Sequence, residues 1–451
     1  MAETGTSTRR WYQRLGPGLI TACVVIGPGS ILTSSKVGAA NGYAMSWVVV
    51  GAVLFMMVYT SLGAKLGVVA TESSGKLITD RVGRWLAVCI GLSVFFISAA
   101  FQFGNNLGVH SAFQVYAADF DIIIRLGDTK IRFMEYGIVL FNAVTIAFLF
   151  GFKNLYRAVE RLMMTFVGLM LVSFAINLFF AKPDLGELAQ GFIPSEGKLD
   201  IEVLGLVGTT FVITAAYFQT YLARQKGWTR ENLKDSQLDA RVGAVLMALI
   251  TLMLMTTAAA VLRGKDISSV EDVALSLQPL FGDAGQALFC LGLFSAAYSS
   301  FLVNSMIGGF ILSDGLGYGS KPTDIGPKVF TTAVLLTGMV VALYVIKAGG
   351  DPVPAIIAAQ AVTVIASPLV AGALLWMTNR KDIMGETVNG PVTNILAGAG
   401  LLLILAMAWY TATVKIPEKY EKWNKSKQEQ SAEKVSVIDR NLNFEDLFTN
   451  V

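Results

Sequence analysis

Long apolar runs, repeated along the chain and without charge near their middles, constrain this sequence more than any other feature. A helix crosses a bilayer core with about 20 apolar residues, and segment after segment reaches that length between short polar connections. Of 451 residues, 54% are hydrophobic and 15% charged, and the mean hydropathy is +0.59. A soluble chain of this length would need a charged surface and would ordinarily divide into several domains. The sequence therefore reads as an all-α integral membrane protein.

Hydropathy gives about eleven transmembrane helices. Their cores are Gly18 to Ala39, Ser46 to Gly67, Trp85 to Phe113, Tyr136 to Phe150, Met163 to Phe180, Val203 to Tyr221, Val242 to Val261, Ala287 to Leu312, Val329 to Ile346, Pro354 to Trp376 and Ile395 to Ala412. Residues 1–15 are polar and carry Arg9, Arg10 and Arg14. They read as a cytoplasmic N-terminal segment, not a cleaved signal. Alternate connections are then cytoplasmic, and they hold most of the Lys and Arg, most densely from Arg224 to Arg241. A multi-pass protein of a plasma membrane, of the bacterial inner-membrane type, is expected. Residues 414–451 form a charged C-terminal tail, expected to be flexible or a short surface helix.

The spans are not uniform. Gly27, Pro28, Gly29 and Ser30 interrupt the first, and such residues cannot continue a helix without freeing backbone groups. At membrane depth that is tolerated only where the backbone is buried in protein or lines a cavity. The sixth span has a weaker irregularity, Thr209 to Ala216, at a corresponding place. Paired interruptions in two halves mark a transporter built from inverted repeats. The halves are expected at about 16–181 and 201–377, followed by an eleventh helix at 393–413, all within a transporter domain at 16–413.

Several chemistries are missing. A net charge of +3 points to no nucleic acid partner. No nucleotide fingerprint, nucleophile elbow or catalytic set is present, and no enzyme activity is expected. Cys23, Cys89 and Cys290 lie in apolar stretches and read as packing residues. The single histidine, His110, reads the same way. The middles of spans one, three, six, eight and ten contain no Asp or Glu, although intramembrane carboxylates are the usual proton relays and tight cation ligands. What remains is neutral, including Ser30, Thr33, Gln102, Asn105, Asn106, Thr209, Thr214, Tyr217, Gln219, Tyr298, Ser299 and Gln360. Lys36 is the one cation inside the first span.

The run GPGLITACVVIGPGSILTSSKVGAANGYAMSW resembles the first span of Nramp divalent-metal transporters, whose motif is Asp-Pro-Gly-Asn. VGTTFVITAAYFQTYL is similar to that family's sixth span, whose motif is Met-Pro-His. LFCLGLFSAAYSSFLVNSMIGG, AAQAVTVIASPLVAGALLWMTNRKDIMG and VNGPVTNILAG extend the likeness through the eighth, tenth and eleventh spans. The resemblance implies LeuT-like inverted five-helix repeats with helices 1 and 6 broken. It implies a metal site at Val24, Gly27, Ser30, Thr209, Val212 and Gln360. The family's Asp falls on Gly27 and its Asn on Ser30. Its Met, Pro and His fall on Val212, Ile213 and Thr214, and a second His falls on Gln219. The acidic pair of its proton route falls on Gln102 and Asn105. The Gln that contacts the ion from the tenth span is kept, as Gln360. The Nramp-related magnesium transporters share this pattern of losses.

The chemistry agrees with that branch. A thioether favours softer metals, and Val212 lacks one. Magnesium sheds water reluctantly and suits a site without a strong ligand at Gly27. Gln102, Asn105, Thr214 and Gln219 do not titrate in the biological range. The expectation is a carrier of hydrated magnesium, also admitting manganese, uncoupled from protons. The ion would be cargo and no cofactor is needed. The partners are the lipid bilayer and divalent ions, with no obligate protein partner. A same-fold carrier of a neutral or zwitterionic organic substrate, and a non-transporting sensor, remain open.

Overall fold

The computed structural model describes residues 16–117, 123–126, 129–152, 154–194, 201–265, 267, 270–347, 352–425 and 428. The first helix stops where its sequence requires. Pro28 has no N–H to donate, and its ring would clash with the carbonyl four residues back, so α1 (Pro17–Val25) ends before it. Proline suits the first position of a helix, and α2 (Pro28–Asn41) starts there behind an extended Gly27. The two halves meet at 60°.

The chain continues through α3 (Ser46–Val69), the short α4 (Ser74–Arg81) and α5 (Arg84–Ala117). A hairpin of β1 (Ile123–Leu126) and β2 (Thr129–Arg132) pairs Ile124 with Ile131 before α6 (Phe133–Gly151). Helices α7 (Leu155–Ala181) and α8 (Leu185–Gln190) follow. The sixth span is α9 (Ile201–Thr210) and α10 (Ile213–Gln225). Then come α11 (Leu233–Val261), α12 (Val270–Leu316), α13 (Ile325–Lys347), α14 (Pro352–Asn379), α15 (Lys381–Met384) and α16 (Pro391–Tyr410). Gly282 takes a positive φ of 69° inside α12, so the membrane-long part starts there.

The all-helical membrane architecture is as expected, apart from the hairpin, which falls in a stretch read as a loop. Among the described residues eight helices are long and apolar enough to cross a membrane, or nine with the bent first pair. The apolar Gly137–Gly151 is shorter. The last helix does not end near 413: a π-helical turn at Thr411–Lys415 leads on to Lys425, 35 residues from Pro391. Lys415 pairs with Glu418 along it at 3.0 Å.

Helices in lipid gain little from apolar association and pack instead through small residues that let backbones approach. Gly63 and Gly67, four apart on α3, do this against α10. A Cβ at Gly63 would stand 2.2 Å from the Ala216 carbonyl oxygen, and one at Gly67 2.4 Å from that of Thr220. Gly18 and Gly243 join α1 to α11 in the same way, with a Cβ at Gly18 only 2.1 Å from the Asp239 carbonyl oxygen.

Two buried carboxylates fix the same end of the bundle. Asp239 on α11 accepts from the Gly16 and Gly18 amides at 2.7 and 2.6 Å, satisfying open donors at the start of α1. Beside it Lys226 pairs with Glu160 at 2.9 Å, both largely buried. Asp314 on α12 accepts from Ser73 Oγ, the Gly75 amide and the Tyr221 hydroxyl at 2.6, 2.7 and 2.7 Å. It thereby ties α4 and α10 to α12. Arg224 caps the end of α3 by donating to the carbonyls of Ala70, Thr71 and Glu72.

Gly63→Leu should lower the melting temperature of the detergent-purified protein or prevent its recovery. The added side chain meets backbone, and overpacking of this kind costs about 1–3 kcal/mol or more. Gly51→Leu, whose Cβ enters open space, should melt as the parent does. Equal melting of the two variants would contradict the close-approach reading.

Candidate functional site

The two broken spans bring their breaks together. Ser30, in the first turn of α2, donates to the Val25 carbonyl at the end of α1. Its Oγ also lies 3.5 Å from the Thr209 carbonyl oxygen at the end of α9. One turn along, Thr33 Oγ1 and Thr209 Oγ1 are 3.1 Å apart. Carbonyls that a helix end would leave open are thus met by hydroxyls of the facing half-helix.

The sixth span breaks at Phe211 and Val212, where Val212 is extended (φ −85°, ψ 92°). It has neither proline nor glycine there, so packing holds the break. Phe211 stacks on Phe55 at 5.9 Å between centroids and leans on Tyr59 at 5.5 Å. Gly400 of α16 closes over these rings, and the Tyr59 hydroxyl donates to the Ala397 carbonyl at 2.8 Å. The Val212 carbonyl accepts from Ala215 at 3.1 Å and Ala216 at 3.3 Å as the new helix begins.

A second wall comes from α5 and α12. Ser300 Oγ donates to the Val24 carbonyl at 3.2 Å and accepts from Asn304 Nδ2 at 2.9 Å. Asn105 Nδ2 donates to Gln102 Oε1 at 2.9 Å and approaches Ser300 Oγ at 3.4 Å. Gln102 Nε2 in turn donates to the Phe301 carbonyl at 2.8 Å. Gly27 sits against this wall: a Cβ there would meet Ser300 Oγ at 2.8 Å and Asn105 Oδ1 at 3.4 Å. Two neutral amides and a hydroxyl occupy the neighbourhood that a carboxylate at Gly27 would need.

Val24, Gly27, Ser30 and Thr209 therefore converge on one crossing, with Gln102 and Asn105 behind it. Val212 is buried at the second break. Gln219 is set apart, on α10, where it accepts from Thr21 Oγ1 at 2.5 Å and keeps a buried Nε2 without a protein partner. Thr214 is buried in the first turn of α10. The Gln360 side chain lies outside the described residues, as does that of His110, although α14 carries the Gln360 backbone. Ser300 and Asn304 were not singled out in the sequence, where Ser299 was. Ser299 donates to its own helix at Ala296 and neighbours Cys23, and it is Ser300, held by Asn304 at i, i+4, that takes the Val24 carbonyl at the break. That spacing, matched to the Gln102 and Asn105 face of α5, was the usable sign.

Access is unequal on the two sides. All of α1 is buried, as are Ile213 to Ala223 of α10. Across the break, Gly29 and Gly208 are exposed and Thr33, Lys36 and Thr209 are part-exposed. Along α1 and α10 the break is sealed by protein, and its surface-exposed residues lie on α2 and α9. Among the described residues no cluster of three or more His, Cys, Asp or Glu could hold a metal ion. The oxygens at the crossing belong to hydroxyls, amides and carbonyls.

Two broken helices crossing inside a bundle of apolar spans define a polytopic membrane protein of the broken-helix type. The chain belongs to the Nramp family: residues 18–413 match the family described as natural resistance-associated macrophage protein-like. It is 26% identical over 414 residues to the divalent metal cation transporter MntH of Deinococcus radiodurans, covering 89% of this chain and 90% of that protein. It is 27% identical over 416 residues to MntH of Pectobacterium carotovorum, covering 90% and 95%. In structure it is similar to a mutant of the Eremococcus coleocola manganese transporter, with a TM-score of 0.76 at 16% identity over 90% of this chain and 87% of that one. It also resembles MhsT in complex with L-phenylalanine, at a TM-score of 0.58 and 15% identity over 88% of this chain and 98% of that one.

Gly27→Asp should destabilise the protein by about 1–3 kcal/mol, because the new side chain lands on Ser300. Adding Ser300→Gly should recover part of the loss. Melting curves of the single and double variants check this, and strict additivity would show that the contact does not limit position 27.

Proposed function

We propose that this protein is a secondary transporter of divalent metal cations, carrying hydrated magnesium most readily and manganese as well, uncoupled from protons. The observation that carries the reading is the neutral oxygen lining of the crossing, inside a chain whose relatives are divalent metal cation transporters. Val24, Gly27, Ser30, Thr209, Val212 and Gln360 would supply the site. Hydroxyl and carbonyl oxygens are hard donors, suited to magnesium. Without a carboxylate among them, they suit an ion that keeps much of its water. The carbonyl end of α1 adds the negative end of a helix dipole, about half a charge in aggregate.

With the N-terminus in the cytoplasm, the sealed side along α1 and α10 faces inward and the conformation is open to the outside. Alternating access then requires α1 to leave Asp239 and α10 to part from Asp314. Gln102, Asn105, Thr214 and Gln219 offer no titrating group to couple protons to that cycle. An inside-negative potential of 100 mV is worth about 4.6 kcal/mol to a divalent cation, which is enough to drive uptake alone.

Magnesium or manganese uptake into proteoliposomes at fixed potential, followed with internal metal and pH dyes, is expected with a flat pH trace. Its rate should be unchanged as external pH falls from about 7.5 to 6. Metal-dependent acidification of the lumen would exclude the uncoupled carrier. Calcium should compete poorly, and Ser30→Ala should slow uptake about fivefold, the equivalent of about 1 kcal/mol.

A second reading, a carrier of zwitterionic organic substrates, draws on the same uncharged crossing and on the fold shared with an L-phenylalanine-bound protein. Active protein that takes up amino acids but no metal in the same vesicles would select it.

A further inference from the structure

Away from the crossing, a groove of about 330 Å³ opens between the start of α5 and the end of α14. Ile78, Val82 and Leu86 form one wall, and Pro368, Gly372 and Trp376 form the other. Gly372 leaves space that a larger residue would fill, since a Cβ there would have no neighbour within 4 Å. The lining is apolar and the groove opens on the flank of two helices of the membrane bundle.

One end of this groove is cationic. Arg81 directly precedes Val82, and Arg380 and Lys381 directly follow the end of α14, whereas Arg84 turns to α12 and donates to the Leu316 carbonyl at 2.9 Å. Arg380 lies over the Trp376 ring, 5.5 Å from its centroid, so a groove-lining side chain places that guanidinium. Asp382 accepts from Arg81 Nε at 2.7 Å and from Arg380 Nε at 2.8 Å, drawing the two arginines together. These guanidiniums hold the Asp382 carboxyl well below its ordinary range, at about 2, so the bridge persists through physiological pH. Arg81, Arg380 and Lys381 thus gather about Asp382, with Glu72 also within reach of Arg81. Asp80 belongs to another face of α4, beside Glu72 and Lys76. Arg84, Arg380 and Lys381 are exposed, and so is Trp85, a residue type that settles at the headgroup level.

An apolar slot with a basic mouth at the membrane boundary has the two-part chemistry of a phospholipid site. We propose that the groove binds an anionic phospholipid, with an acyl chain between α5 and α14 and the headgroup phosphate on Arg81, Arg380 and Lys381. Charge complementarity selects this occupant over a zwitterionic lipid, whose headgroup adds no net charge. The bound lipid would join α14 to the α4–α5 corner, beside the Asp314 junction.

Bromine on an acyl chain quenches tryptophan on contact, and Trp376 is a built-in reporter. The full-length protein is reconstituted with brominated phosphatidylglycerol or brominated phosphatidylcholine at equal mole fraction. The Trp376 contribution is taken as the difference from Trp376→Phe. The phosphatidylglycerol label is expected to quench Trp376 at several-fold lower mole fraction, with the preference shrinking as salt rises. Arg380→Gln and Lys381→Gln should each weaken the preference by about fivefold. Gly372→Leu, or Ala373→Leu on the same wall, should abolish Trp376 quenching by both lipids. Equal quenching by the two headgroups would overturn the phosphate contact, and quenching that survives both filling variants would overturn the groove as the site.

Discussion

Backbone hydrogen bonding in a medium without water governs everything else in this molecule. A helix interrupted at membrane depth leaves carbonyls and amides that lipid cannot satisfy. Here α1 and α9 both end inside the bundle, and both endings are met from α2: Ser30 reaches the carbonyls of Val25 and Thr209, and Thr33 meets Thr209 across the gap. The scaffold completes the set when Ser300 takes the Val24 carbonyl. The crossing is therefore a structural necessity before it is a binding site, and the oxygens that stabilise the breaks are the same ones available to a passing ion.

That double use explains why the neutral set is self-consistent. A carboxylate at position 27 would come with a charge and with a need for space. In this chain both are absent together: Gly27 lies against Ser300 and Asn105, and Asn105 is bonded to Gln102. Exchanging one member alone leaves its neighbours shaped for another partner. The carboxylates that do occur deep in the protein, Asp239 and Asp314, sit at the sealed end and hold backbone and hydroxyl donors. Charge has been kept for closing the bundle and left out of its middle.

Much of this was legible in the sequence for a physical reason. Pro28 and its glycines force a break that no packing can repair, so the first half-helix pair could be placed to the residue. Length and apolarity likewise announced the spans. The second break was harder because Phe211 and Val212 carry no helix-breaking chemistry. It exists through rings on α3 and a glycine on α16 that are distant in sequence. Ser300 was missed for the same cause, since three serines lie within six residues of α12 and only the face each turns to distinguishes them. The hairpin at 123–132 was hidden in a short polar stretch, and the continuation of the last helix past 413 was masked by its charge, which periodic hydropathy does not reward.

The last helix has a practical consequence of its own. At about 1.5 Å per residue, 35 residues make a rod about 52 Å long, against a hydrocarbon core of about 30 Å. By tilt or by extension, a helix that long reaches past the core as a continuation of the span. Small membrane proteins give electron microscopists little to align, because a detergent belt hides most of their shape. A helix that runs on from the bundle without a break gives a fused fiducial domain a fixed bearing on the protein.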